Sequence, residues 1–175
     1  MTRPATPSTP APVTLSLTGD DAGELLTLQR AAYVTEAQLY DDAHLPALTQ
    51  TLPELRAEVA ACVCLGVRAA GRLVAAVRAR ESAGVLHVGR LVVAPDQQGS
   101  GLGTVLLQAA EATTTLPRAA LFTGARSTAN LRLYERCGYR ERHREQLRPG
   151  VELVHLTKDL PARTRGPAGQ DPVGR

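Results

Sequence analysis

A strongly apolar stretch, Val85–Val93, ends at Ala94-Pro95 and gives way to Asp96-Gln97-Gln98-Gly99-Ser100-Gly101-Leu102-Gly103-Thr104, after which a helical pattern runs from about Gly103 to Thr115. Few folds accommodate that succession. A buried strand, a loop with glycine at alternate positions and a helix together put a helix start at the carboxyl end of a sheet strand. The first N–H groups of a helix have no intrahelical acceptor and the dipole is positive there, so the turn is a ready anion site. Glycines let an anion approach the backbone with no Cβ in the way. The plainer alternative is a turn that merely fits helix to sheet.

Spacing separates the known nucleotide loops. A P-loop places Lys and then Ser or Thr after its last glycine, whereas Thr104 follows Gly103 directly. A dinucleotide fingerprint reads G-x-G-x-x-G with an acidic residue roughly 20 positions on. Gly99-Ser100-Gly101-Leu102-Gly103 has neither the spacing nor that residue.

Around this turn the chain alternates strand-like and helix-like segments. Val13–Leu17 alternates apolar and polar residues. Thr18-x-x-Asp21 resembles a capping box for a helix running to about Tyr40, with Leu25, Leu28 and Ala32 on one face. Thr51-x-x-Glu54 starts a second helix through Leu55 and Val59. Cys62–Ala69 and Leu73–Arg80 form a hairpin about Ala70-Gly71-Arg72. Past the glycine-rich turn come a strand Ala119–Thr123 and a short helix from Ser127 or Thr128 that stops at Gly138. Two last strands, about Tyr139–Gln146 and Val151–Thr157, flank Arg148-Pro149-Gly150. The order β-α-α-β-β-β-α-β-α-β-β predicts an α/β fold, a central twisted mixed sheet with helices on both faces. Residues 13–160 form the one domain; 1–12 and 161–175, rich in Pro, Gly, Ala and Arg, are expected to be a disordered leader and tail.

Composition removes several classes. No apolar run approaches the roughly 18 residues of a membrane span, and the start of the chain lacks the apolar core of a secretory signal. A cytoplasmic protein without membrane partners is expected. Net charge is +3, enough to favour a polyanionic ligand but not the concentrated basic face of a nucleic-acid binder. Aromatic residues are 3%, which leaves little for bases to stack on. Cys62, Cys64 and Cys137 lack a second ligand pair at metal spacing, so buried reduced thiols and no metal are expected.

Val93-x-Pro95-x-x-Gln98-x-x-Gly101-x-Gly103 resembles the signature of the GNAT superfamily of N-acetyltransferases, Val-x-Pro-x-x-Arg/Gln-x-x-Gly-x-Gly/Ala. Asn130-Leu-Arg-Leu-Tyr134-Glu-Arg-Cys-Gly-Tyr139 resembles that family's second segment. The resemblance implies acetyl-CoA as co-substrate. It implies that backbone amides of Gln98, Gly99, Ser100, Gly101, Leu102, Gly103 and Thr104 hold the pyrophosphate. Main-chain groups of Leu91, Val92 and Val93 would serve the pantetheine arm and the oxyanion, Asn130 would touch the cofactor, and Tyr134 would sit by the thioester sulfur. Arg136 is a candidate for the coenzyme's 3′-phosphate. The acceptor would be an amine on a small molecule or a peptide, and the last strands would form a homodimer edge.

The chemistry sets requirements of its own. An alkylammonium of pKa near 10.4 is only about 0.04% neutral at pH 7, a penalty of roughly 4–5 kcal/mol. A base or a desolvating site must meet it, and an acid such as Tyr134 can assist the leaving thiolate. Many members carry Glu in a Glu-x-Leu-x-Val pattern where this chain has Gly89-Arg90-Leu91-Val92-Val93. Gly89 would mark a bulge or a close approach. His87, two residues earlier, is a candidate base; Glu81 and Glu36 are weaker alternatives that also read as solvated surface charges, and water alone is a further one. Tyr40-Asp41-Asp42-Ala43-His44 would offer carboxylates to a cationic amine, or is equally well an exposed turn between helices. An acyl-CoA-binding module without turnover is the alternative in a different class, and a longer thioester is a third.

Overall fold

A computed structural model describes residues 12–162, so the leader and tail assigned above lie almost wholly outside it. Seven strands form one sheet in the order β1-β2-β3-β4-β5-β7-β6. They are β1 Thr14–Ser16, β2 Val63–Ala69, β3 Arg72–Ser82, β4 Val85–Val93, β5 Arg118–Gly124, β6 Arg140–Arg148 and β7 Val151–Asp159. The helices are α1 Ala22–Tyr40, α2 Pro46–Thr49, α3 Leu52–Ala60, α4 Leu102–Glu111 and α5 Thr128–Arg136. All pairings are antiparallel except β4 with β5. The mixed sheet and the element order agree with expectation; α2 is additional, four residues too short to show a period.

Local chemistry explains the ends. Thr18 and Asp21 exchange capping bonds before α1, and Thr51 and Glu54 do the same before α3. The strands β2–β4 bury Leu65, Val67, Leu73, Val74, Val77, Leu86, Val88 and Val92. Helix α4 lays Leu102, Leu106, Leu107 and Ala110 in the core; α1 contributes Leu25, Leu26 and Leu28, and α3 Leu55 and Val59. Two capping boxes, the apolar faces of the helices and the buried central strands β2 and β3 all specify the same layering.

Beneath α1 the core admits one charge. Arg78, 4% exposed, meets Glu58 at 3.0 Å and Gln29 Oε1. Gln29 Nε2 donates to Ala47 O at 2.8 Å and to Gln50 Oε1 at 3.0 Å. A buried guanidinium is costly unless paired, and burial holds its pKa below the usual arginine value despite Glu58. The pairing draws on β3 and all three N-terminal helices, and it thereby fixes α1 over the sheet.

Candidate active site

Where β4 meets β5 the sheet opens. The two parallel strands share register only at Leu86↔Ala119 and His87↔Ala120, although β4 continues to Val93 and β5 to Gly124. Their outer edges stay paired, Ala75↔Val93 on one side and Gly124↔Leu153 on the other. Two unpaired backbone edges therefore face each other across a wedge, which an extended ligand can join as an added strand.

A bulge in β4 begins the parting. Ala76 opposes Val92 while Arg78 opposes Gly89, so Arg90 and Leu91 together face Val77. The left-handed residue is Arg90, φ 50°, and not Gly89. The expectation of a bulge at Gly89 thus shifts by one residue. Gly89 instead leaves room: a Cβ there would meet nothing within 4 Å.

At the mouth of the wedge lies the glycine-rich loop. Gly99 and Gly101 take φ 78° and 88°, values that favour glycine, and a Cβ on either would point into open space. The last main-chain donor bonded before the loop is Gln97, to Ala94 O at 2.8 Å, and the next bonded is Val105, to Gly101 O at 3.2 Å. Among the described residues the amides of 98–104 have no protein acceptor. Gln98 Nε2 lies 3.5 Å from Val93 O, and Ser100 Oγ donates to Gln97 O, so the side chains brace the loop from within. Leu91 and Leu133 flank Gly103, whose added Cβ would stand 3.9 Å and 3.0 Å from them. Cys137 Sγ is 3.9 Å from Thr104 Oγ1. Arg136, the residue before Cys137 in the last turn of α5, is exposed.

Tyr134 enters from α5, its side chain 7% exposed and its ring edge-on to Tyr139 at 6.2 Å. Its hydroxyl makes no hydrogen bond among the described residues. Burial first, then Tyr33 and Glu36, push its pKa well above the ordinary phenol value. It stays a protonated donor across the working range.

Glu36, a weaker candidate by sequence, is drawn into the site. From α1 its carboxylate accepts from Ser127 Oγ at 2.7 Å and from Asn130 Nδ2 at 3.3 Å. Asn130 Nδ2 also lies 3.5 Å from Thr123 Oγ1. Ser127, at the start of α5, is buried and draws Glu36 in from the surface assigned to it by sequence. His87 is exposed at the last rung before the strands part, level with Arg80 and Ala120. Glu81 accepts from Thr114 Oγ1 and is engaged elsewhere. Asp42 pairs with Arg148 and accepts from His44 N at 2.8 Å, so it is not the free carboxylate that the sequence suggested. Among the described residues no cluster of His, Cys, Asp or Glu could hold a metal ion, and no helix is long and apolar enough to cross a membrane.

A mixed sheet parted at its one parallel pair, with a helix start at the gap, has the architecture of an acyltransferase. The comparisons agree. A model of the acetyltransferase (GNAT) domain matches residues 40–160, and the chain belongs to the GNAT acetyltransferase family. Solved structures share the fold. PaiA N-acetyltransferase from Thermoplasma acidophilum, in complex with coenzyme A, is 16% identical at TM-score 0.73, over 86% of this chain and 99% of that one. Ribosomal-protein-S18-alanine N-acetyltransferase from Escherichia coli is 16% identical at TM-score 0.65, over 91% and 100%. IAA acetyltransferase from Bacillus cereus is 18% identical at TM-score 0.64, over 86% and 100%. No curated protein matches the chain.

Proposed function

We propose that the protein moves an acetyl group from acetyl-CoA to an amine by direct attack on the thioester. The observation that carries this reading is the row of unbonded amides from Gln98 to Thr104 at the mouth of the wedge. Two linked phosphates would take those donors, each charge-assisted bond contributing about 1.5–3 kcal/mol, and α4 adds the positive end of its dipole. Arg136 would meet the 3′-phosphate. The edge of β4 at Leu91, Val92 and Val93 would pair with the pantetheine arm, and a main-chain N–H there would hold the oxyanion. The coenzyme A named with the Thermoplasma neighbour supports a ligand of this type.

Tyr134 would give its proton to the departing thiolate as the C–S bond breaks and the C–N bond forms. For the ammonium proton we assign Glu36 ahead of His87. Glu36 is the carboxylate that acts on Tyr134 and is bonded to Ser127 and Asn130 of the same element, while His87 remains a candidate relay on the exposed face. Asn130, held by Glu36 and Thr123, orients that carboxylate as well as lining the wedge.

Calorimetric titration with acetyl-CoA, followed by thiol release across amines and acyl chain lengths, tests the reading. Micromolar binding and amine-dependent thiol release are the expected results. Binding with no thiol release for any amine would favour the acyl-CoA-binding module, a reading to which the missing carboxylate at Gly89 points. No binding of any acyl-CoA would overturn both.

A further inference from the structure

Helix α1 presents Tyr33, Glu36 and Tyr40 at i, i+3 and i+7, a single stripe about 10 Å long. Each tyrosine carries an arginine. The Arg90 guanidinium lies over the Tyr33 ring, 5.8 Å from its centroid, and that of Arg126 over the Tyr40 ring at 5.6 Å. The two arginines come from opposite sides of the wedge, Arg90 from the β4 bulge and Arg126 from the turn after β5. Glu36 stands between them.

Neither guanidinium has a carboxylate within ion-pair distance among the described residues. Their neighbours do: Arg78 meets Glu58, Arg148 meets Asp42, and Arg144 meets Glu141 and Glu152. Arg126 is nonetheless fixed, since its main-chain N–H donates to the Tyr40 hydroxyl at 2.8 Å and its Nη1 to Leu39 O at 3.3 Å. It lines an open groove of about 320 Å³ with Ala125, Gln146, Gly150 and Glu152. An arginine stacked on an aromatic ring keeps its edge donors for a planar anion.

We infer that the acceptor is a primary amine bearing a carboxylate, a small molecule of the amino-acid class, bound with its ammonium toward Glu36 and its carboxylate on Arg126 or Arg90. This rests on the acetyltransfer reading and names its substrate class. Charge alone then sets the selection. A diamine would bring a second cation against two unneutralised arginines and be rejected, and an amide would leave those arginines without a partner.

The test compares, by thiol release with purified protein, a set of amino acids with their carboxamides and with aliphatic diamines. The amino acids should exceed their carboxamides in kcat/KM by at least about tenfold, a difference one charge-assisted pair can supply. Arg126→Ala should collapse that ratio toward one, chiefly through KM for the carboxylate acceptor, and R126K should restore part of it. R90Q should act in the same direction. Acetyl-CoA titration and thermal melting of each variant report folding and donor binding separately. A wild-type preference for carboxamides or diamines would overturn the inference, as would a ratio unmoved in R126A, or arginine variants whose main loss is in acetyl-CoA affinity. If wild-type protein bound no acyl-CoA, the acetyltransfer reading itself would fail and this inference with it; the donor titration, which needs no acceptor, separates that failure from the others.

Discussion

Burial, with Tyr33 and Glu36 nearby, keeps the Tyr134 hydroxyl protonated, as the proposed acid role requires. The ring is enclosed, the hydroxyl lacks a protein partner, and removal of the oxygen should cost the fold little because no hydrogen bond is lost. Tyr134→Phe is therefore expected to keep its melting temperature and its affinity for acetyl-CoA while kcat falls about 10²–10⁴-fold. A variant with unchanged kcat would assign the tyrosine to packing. Glu36→Gln keeps the shape and can still bond Ser127, so its kcat should fall by at least about tenfold at neutral pH and recover as free amine rises toward alkaline pH. A loss that stays constant with pH would mean that Glu36 positions α5 without moving a proton. Cys62 and Cys64 are the inert counterpart. Burial raises the Cys64 thiol to about 12 and lifts Cys62 as well, so native protein treated with iodoacetamide at pH 8 should retain an unmodified Cys64. Tyr134 could be named as a candidate from the sequence because a motif surrounds it. Glu36 stood out only as a weaker candidate for the base, because its partners Ser127 and Asn130 lie at another helix more than ninety positions away (91 and 94) and no local period signals that meeting.

At the scale of elements, the strand–loop–helix turn was legible because each of its parts has a local cause. The apolar run makes β4, Pro95 ends its ladder after Ala94 N reaches Val74 O at 2.8 Å, and glycine supplies the left-handed turns. The bulge was less legible, since the positive φ falls on Arg90, a residue type that gives no hint of it. Four-residue α2 illustrates the same limit, since it carries no apolar period; β6, Arg140–Arg148, exposed throughout, was placed by the Arg148-Pro149-Gly150 turn and is tied by its ladder to β7 and by the Arg144–Glu152 and Arg148–Asp42 pairs. The loop offers a direct test of backbone geometry. A Cβ at Gly101 meets no atom within 4 Å, so Gly101→Ala changes only the φ 88° preference. That strain should cost about 1–2 kcal/mol and lower the melting temperature by roughly 2–8 °C. Relaxation of the strain would turn amides away from the anion, and acetyl-CoA affinity should fall by at least about tenfold. A stable variant with unaltered affinity would remove these amides from the binding site.

For the whole molecule, the question is what keeps α1 over the wedge, since that helix brings Tyr33, Glu36 and Tyr40 to strands far from it in sequence. The Arg78–Gln29–Glu58 grouping anchors its middle. A charged tie anchors its start. Arg68 of β2 meets Asp21 at 2.8 Å and Glu24 at 2.6 Å, and Leu73 N of β3 donates to Glu24 Oε1 at 2.6 Å. The bond from Thr18 N, followed by Arg68, lowers the Asp21 pKa; the bond from Leu73 N, followed by Arg68, lowers that of Glu24. Folded values below the ordinary 3.8 and 4.5 mean that unfolded chains bind these protons first as pH falls. The stabilisation is thus complete above about pH 5 and is lost as acid titrates through the depressed folded values. Both carboxylates are partly exposed, so water screens each pair and the loss per group is modest. The expected outcome is a urea midpoint that is flat from pH 7 to about 5 and declines below about pH 4.5. Glu24→Gln should shallow that decline. Because the tie holds the helix that carries Glu36, amine-dependent turnover should fail in acid before the global fold does, while acetyl-CoA binding at the α4 loop persists. Simultaneous loss of turnover, donor binding and the far-ultraviolet signal would instead mean that α1 does not loosen ahead of the rest of the sheet.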